Sequence, residues 1–294
     1  MNDILPSAVS EMVKLAGGTF LMGSNDFYPE ERPAREVTVA PFAIDRHPVT
    51  NRQFAEFVVD TGYVTLAEQT PAAADYPDAD TELLVAGSSV FFSPDRPVDL
   101  RDVRNWWAYM PGADWTHPEG PASDLHERSD HPVVHVAHAD AVAYAAWAGR
   151  QLPTEVEWEF AARGGRPPTA YAWGDQLYPD GQRMANTWEG QFPHQRLNAV
   201  HERTSPVRSF PANGYGLYDM IGNVWEWTAT PSEDNGNRSC CSASVYQPEY
   251  SSWIVKGGSF LCAPNFCRRY RPAARQRQPA DSSTSHIGFR CVVR

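Results

Sequence analysis

The 294 residues predict one domain of the α+β class, irregular and rich in loops. Three observations lead there. Ten Trp and 25 Pro, with 12% aromatic residues, mean that many loops must pack around aromatic side chains. Segments with helical or strand periodicity are few and short. No short-period repeat, low-complexity tract or linker divides residues 1–294, and a chain of this length can bury a sizeable core.

In chain order, residues 1–16 read as a loosely held lead, and 20–24 as a strand after the Gly17-Gly18 turn. Residues 36–45 alternate and read as one strand, which Pro41 places at an edge or a bulge. Thr50 and Gln53 form a capping-box pattern ahead of Phe54, Phe57 and Val58, and Gly62 ends that helix. Residues 65–130 are too long for a connector and read as an ordered insertion near the site. Its Trp106, Trp107 and Trp115 are either the wall of a peptide groove or aromatic core. Residues 140–148 form a second helix, ended by Gly149. Thr154 with Glu157 caps a third, stopped by Gly164-Gly165. His131, His135 and His138 have no carboxylate or thiol at ligand spacing after them and read as hydrogen-bonded structural histidines. Residues 210–228 read as aromatic strands punctuated by Gly and Asn turns, 235–250 as polar and irregular, and 254–260 and 286–293 as strands.

The net charge of −11 disfavours nucleic acid as a partner and is compatible with a basic peptide. No apolar run reaches transmembrane length, and the first residues lack the basic and apolar regions of a secretory signal. Cysteines are sparse and odd in number: Cys240, Cys241, Cys262, Cys267 and Cys291. Such a set fits a reducing compartment, so the sequence reads as cytoplasmic and not membrane-bound.

Cys262 and Cys267 are the residues with the most chemistry to offer. Pro264 between them argues against a regular helix, and a looped segment can turn both sulfurs to one point. Two thiolates favour Cu(I) or Zn(II), but zinc wants four ligands and no CxxC or HxxxH array supplies the rest. Arg268, Arg269 and Arg271 nearby favour the thiolate form. A structural disulfide or two unrelated thiols remain open from the residues alone. Asp219, Gly222, Val224 and Glu226 lie in one tight turn, whose carboxylates and carbonyls suit calcium or belong to a solvated turn.

The stretch GGSFLCAPNFCRRYRPAAR (257–275), with HIGFRCV (286–292) and LAGGTFLMGS (15–24), closely resembles the formylglycine-generating enzymes, the sulfatase-modifying factor family, in their prokaryotic form. The likeness covers nearly the whole chain. It implies a fold related to C-type lectins and an O2-dependent oxidase. Such an enzyme converts a Cys within a Cys-x-Pro-x-Arg motif of an unfolded sulfatase to Cα-formylglycine. The resemblance further implies Cu(I) on Cys262 and Cys267, with Ser259 and Trp225 beside them in the catalytic site. Phe266, Arg268, Ser283 and His286 fall where the family meets its substrate. It implies structural Ca(II) bound by the Asp219 and Glu226 side chains and the Gly222 and Val224 carbonyls. A second calcium site would use Asn186 and the Thr187 carbonyl. Its downstream acidic ligand has no counterpart here, and Asn198 is the nearest candidate.

Two further departures stand out. Phe266 occupies a position where the family usually has Tyr. Ala145, Ala162 and Pro272 occupy disulfide positions of secretory relatives, which leaves Cys291 without a partner cysteine. Three rival readings share these features. An iron-dependent sulfoxide synthase would need a helical domain ahead of this one. A peptide- or sugar-binding module of the same fold would lack the cysteine pair. A metal-free thiol–disulfide enzyme would use that pair directly.

Overall fold

The computed structural model describes residues 9–77, 80, 82, 84–197, 201–232 and 252–294. Its helices begin and end on the signals in the sequence. α1 (Asn51–Thr61) opens with a capping box in which Thr50 N–H donates to Gln53 Oε1 at 2.9 Å, and Gly62 closes it in the left-handed conformation. α2 (His138–Trp147) starts two residues earlier than the sequence suggests, because Asp140 Oδ2 reaches back to the Ala137 amide at 2.7 Å. α3 (Glu155–Arg163) carries the Thr154–Glu157 box and ends at Gly164.

The strands depart more from expectation. Residues 36–45 are two strands in two different sheets, because Pro41 cannot donate to a ladder. β1 (Met12–Leu15) lies within the segment read as a loose lead and pairs antiparallel with β4 (Phe42–Asp45). β2 (Gly18–Met22) pairs with β3 (Arg35–Val39). β5 (Gly87–Phe91) and β6 (Trp107–Pro111) form a hairpin inside the 65–130 insertion. β7 (Trp225–Pro231), β8 (Ser252–Lys256), β9 (Arg275–Pro279) and β10 (Ile287–Gly288) make a four-stranded sheet in the order β10-β7-β8-β9, with β10 parallel to β7. β11 (Val292–Val293) completes the first sheet on the other side of β4. Residues 210–224 form no strand. Residues 235–250, and with them Cys240 and Cys241, lie outside the described residues.

Two aromatic cores result. The larger gathers Phe54, Phe57, Tyr144, Trp158, Trp227 and Phe289, and the smaller Phe91, Trp106, Trp107, Trp188, Phe192 and Phe260. Trp106 and Trp107 belong to the smaller core, and Trp115 packs edge-on to Phe54 at 5.2 Å in the larger. All three are buried, so the groove-wall reading gives way to core packing. Cys262 and Cys267 join the larger core, and Phe266 packs against both. No helix among the described residues is long and apolar enough to cross a membrane.

The histidines are structural. His131 Nδ1 meets Thr204 Oγ1 at 2.9 Å, His135 is held between Ser88 Oγ and the Pro118 carbonyl, and His138 Nε2 reaches the Thr228 carbonyl. Burial lowers the pKa of His47, His135 and His138 to about 4 each, against an ordinary 6.5. These rings therefore stay neutral where an exposed histidine would charge. Their imidazole nitrogen resonances are expected to stay those of the neutral ring from pH 8 to about pH 5. A titration midpoint near 6.5 in the NMR spectrum would contradict the burial.

Candidate active site

The site grows from the end of β8. Lys256 is fully buried and is neutralised by Glu159 at 3.0 Å and Glu155 at 3.5 Å, which pins the strand end against α3. Gly257 and Gly258 follow with φ of 95° and 73°, and a Cβ on Gly258 would lie 2.9 Å from the Arg269 carbonyl. Only glycine permits that approach. The chain then turns: Cys262 N–H donates to Ser259 O at 3.0 Å, and Ser259 N–H points to Cys262 Sγ at 3.5 Å. A second turn follows, in which the amides of Phe266 and Cys267 both donate to Ala263 O. Pro264 lies inside this turn, where its missing N–H costs nothing.

The two turns bring Cys262 Sγ and Cys267 Sγ to 3.3 Å. That is well beyond a disulfide bond, and both cysteines are reduced. The meeting of the two sulfurs follows the sequence reading. Their exposure does not: Cys262 and Cys267 are 1% and 0% exposed. The pair is buried where the larger core meets Phe266, which packs against both cores, and the turn carries exposed Pro264 and Asn265 and the half-buried Phe266 ring.

Ser259 and Trp225 are both fully buried, and Trp225 shares the larger core with the two cysteines. The Trp225 amide donates to His286 O at 2.9 Å. Phe266 stacks on Phe192 at 4.5 Å, nearly parallel, and meets Trp106 edge-on at 5.6 Å, so packing alone holds its ring. Arg268 is exposed, its guanidinium lies over the Phe27 ring at 5.7 Å, and its amide donates to Tyr28 Oη at 3.1 Å. Ser283 is half-buried, and its Oγ donates to Ser88 Oγ at 2.9 Å.

His286 corrects an expectation. It is an interior residue, not a cleft-lining one: 1% exposed, Nδ1 against Thr284 Oγ1 at 2.7 Å, and the ring 4.9 Å from Trp107. Burial lowers its pKa to about 3, partly opposed by the charge of Cys267. His286 Nε2 and Trp225 Nε1 are buried and find no hydrogen-bond partner among the described residues, which leaves two polar atoms for a small polar guest.

The donor set at the sulfurs fits a soft monovalent cation such as Cu(I). Among the described residues no group of three or more His, Cys, Asp or Glu side chains is placed to hold a metal, so a four-coordinate zinc site finds no further ligands there.

The Asp219–Glu226 turn is buried and holds Asp219 and Asn223 in left-handed backbone. Burial pushes the Asp219 pKa up to about 6, which marks a carboxylate short of positive charge and suited to a hard cation. Glu226 is already compensated: Arg290 grips both its oxygens, at 2.7 and 2.8 Å, and Trp158 Nε1 donates to it at 2.7 Å. A calcium ion here would share Glu226 with a guanidinium.

At the expected second calcium site, the Asn186 oxygens already have protein partners. Asn186 Oδ1 accepts from Arg196 Nη2 at 3.2 Å, and the Asn186 carbonyl accepts from the Asn223 amide at 2.8 Å. Arg196 lies over the Trp188 ring at 5.1 Å, so the chain puts its own cation beside this donor. Asn198 lies outside the described residues.

Asn223 was not singled out by the sequence reading. Its backbone joins Asn186 O to the Phe260 amide, and its side chain exchanges two bonds with the Ser205 backbone at 2.9 and 3.1 Å. One residue thus ties three loops under the cysteine turn. Its only signal is an Asn after Gly222, which marks a left-handed turn without revealing its partners.

A fold of two aromatic cores around a paired-cysteine turn defines a family, and comparison with known proteins identifies it. Residues 4–294 match the sulfatase-modifying factor enzyme 1-like domain, and the chain belongs to that family. It is 57% identical to the formylglycine-generating enzyme of Mycobacterium tuberculosis, over 97% of this chain and 98% of that one. It is 46% identical to the formylglycine-generating enzyme of Thermomonospora curvata, over 96% and 93%. The solved structure of PvdO from Pseudomonas aeruginosa superposes with a TM-score of 0.65 at 25% identity, covering 98% of this chain and 95% of that one.

Arg290 and Glu226 are both fully buried, so Arg290→Met leaves carboxylates without their counter-charge. This substitution is expected to lower the unfolding free energy by about 3–5 kcal/mol, measured by urea titration. A loss under 1 kcal/mol would contradict the role given to the pair.

Proposed function

We propose that this chain is a formylglycine-generating enzyme. It oxidises a cysteine in a Cys-x-Pro-x-Arg motif of an unfolded sulfatase to Cα-formylglycine, with O2 as oxidant and Cu(I) as cofactor. The observation that carries the reading is the reduced sulfur pair at 3.3 Å, in a chain 57% identical to a protein of that name along almost its whole length.

Bound copper would supply the one-electron oxygen chemistry that side chains lack. The residues have separate tasks. Cys262 and Cys267 would hold the cation, and the soft substrate thiol would come to the same point, which fixes the reacting carbon beside it. The Ser259 amide, 3.5 Å from Cys262 Sγ, supports negative charge on that sulfur. Trp225 and Phe266 exclude water from it. Because the sulfurs lie below the surface, the peptide must reach them past Pro264, Asn265 and the Phe266 ring, and Arg268 and Ser283 are the exposed and half-exposed groups at hand for its backbone.

A calcium ion at Asp219, with the Gly222 and Val224 carbonyls and a shared Glu226, belongs to the same reading in a structural role. The sparse cysteines suit a cytoplasmic setting, where the pair stays reduced.

Cys262→Ser and Cys267→Ser are each expected to abolish stoichiometric Cu(I) binding, read by anaerobic titration. Full binding in both variants would refute the ligand assignment. The copper-loaded protein is expected to convert a synthetic Cys-x-Pro-x-Arg peptide in air to an aldehyde that a hydrazide captures, seen by mass spectrometry. An unchanged peptide would favour a binding module. Turnover indifferent to a Cu(I) chelator would favour a metal-free thiol enzyme.

A further inference from the structure

Two thiolates closed on one monovalent cation carry a net charge of minus one. An anion buried as deeply as Cys262 and Cys267 needs a compensating charge close by. Three arginines follow the second cysteine, and the structure sends them to different places. Arg268 is exposed and sits over the Phe27 ring at 5.7 Å. Arg271 is buried and paired with Glu31, and its Nε donates to the Arg268 carbonyl at 2.7 Å. Arg269 turns back: its Nη1 lies 3.9 Å from Cys267 Sγ.

Arg269 is also held from outside its own segment. Its Nη2 pairs with Glu30 at 2.5 Å, and the guanidinium lies 3.9 Å over the Tyr28 ring. Both contacts come from the loop between β2 and β3, nearly 240 residues earlier in the chain.

We infer that Arg269 is a positioning residue for the sulfur centre. Shared between the Glu30 carboxylate and Cys267 Sγ, its guanidinium is the nearby positive group that steadies an anionic two-sulfur metal complex in the core, and Tyr28 helps to keep it aimed. This rests on the copper reading above. A neutral Cys–Cys pair would need no such partner, so the arginine contact gives metal affinity a dependence on a residue that is not a ligand.

The test is the Cu(I) affinity of the full chain, measured anaerobically by competition with a chromogenic chelator. Arg269→Gln is expected to weaken binding about 10- to 100-fold, the range for groups that support a metal from outside its ligand shell. Arg269→Lys, which keeps the charge, is expected to recover most of that loss, a rescue that a purely structural role would not produce. Native-like affinity in Arg269→Gln, with near-UV circular dichroism unchanged, would overturn the inference. Equal loss in the Gln and Lys variants would overturn it as well. Should Arg269→Gln fail to fold, Glu30→Gln carries the test, because it removes the carboxylate that shares the guanidinium with Cys267 Sγ. A change of about threefold or more in Cu(I) affinity supports the inference, and unchanged affinity refutes it. A native chain that holds copper no better than Cys262→Ser would remove the centre, and both readings with it.

Discussion

Arg290 is the interaction on which the rest of this structure depends. Its guanidinium is fully buried, pairs with both oxygens of Glu226, and donates to the carbonyls of Asp45 and Tyr218. It therefore joins β7 to β4, and so the four-stranded sheet to the three-stranded one, with a hydrogen-bonded charge at the junction. A buried pair of this kind is weak evidence for stability in itself. Its value is geometric: a planar fork accepts few arrangements of its partners, so the two sheets keep one relative placement. Everything built on β7 and β8, including the cysteine turn, inherits that placement.

The cysteine turn has little regular structure of its own. It is fixed by neighbours that are rigid for separate reasons: the buried Lys256 with its two glutamates, the glycines that allow the backbone to touch Arg269, and Asn223 beneath Phe260. The aromatic stack of Phe192 and Phe266 then closes the side facing the smaller core. A domain with short strands and long loops can still hold two sulfurs closely, provided that buried polar groups take the place of ladders. Satisfying such groups matters, because an unpaired one costs about 1–3 kcal/mol.

Much of this was legible in the sequence. The helix caps at Thr50 and Thr154 are local signals, and the structure keeps them. The spacing of Cys262 and Cys267 with a proline between them allowed the two sulfurs to meet, a short-range possibility that the structure realises with both thiols reduced. What escaped was long-range. The strand β9, reading RQRQP, hides its buried Gln276 and Gln278 behind a polar composition. β1 looked like a loose lead because only its pairing with β4 makes it a strand. Residues 36–45 alternate so evenly that Pro41 looked like a blemish, when it marks the passage from one sheet to another. The depth of His286 and the cysteines also lay beyond sequence reasoning, since burial belongs to the assembled cores. The three tryptophans of the insertion could not be assigned to groove or core until the hairpin of β5 and β6 had a place.

The first and last strands of the described chain flank the same β4, and the ion pair of Glu31 with Arg271 spans 240 positions. The early loop that carries Tyr28, Glu30 and Glu31 therefore finds its arginine partners only near the other end of the chain. The local turns bring the thiols together, but their burial is complete only when the C-terminal strands dock onto elements from the start of the chain. Enclosure of the sulfur pair must follow closure of the fold, which makes the docking of those C-terminal segments the step that completes the cysteine site.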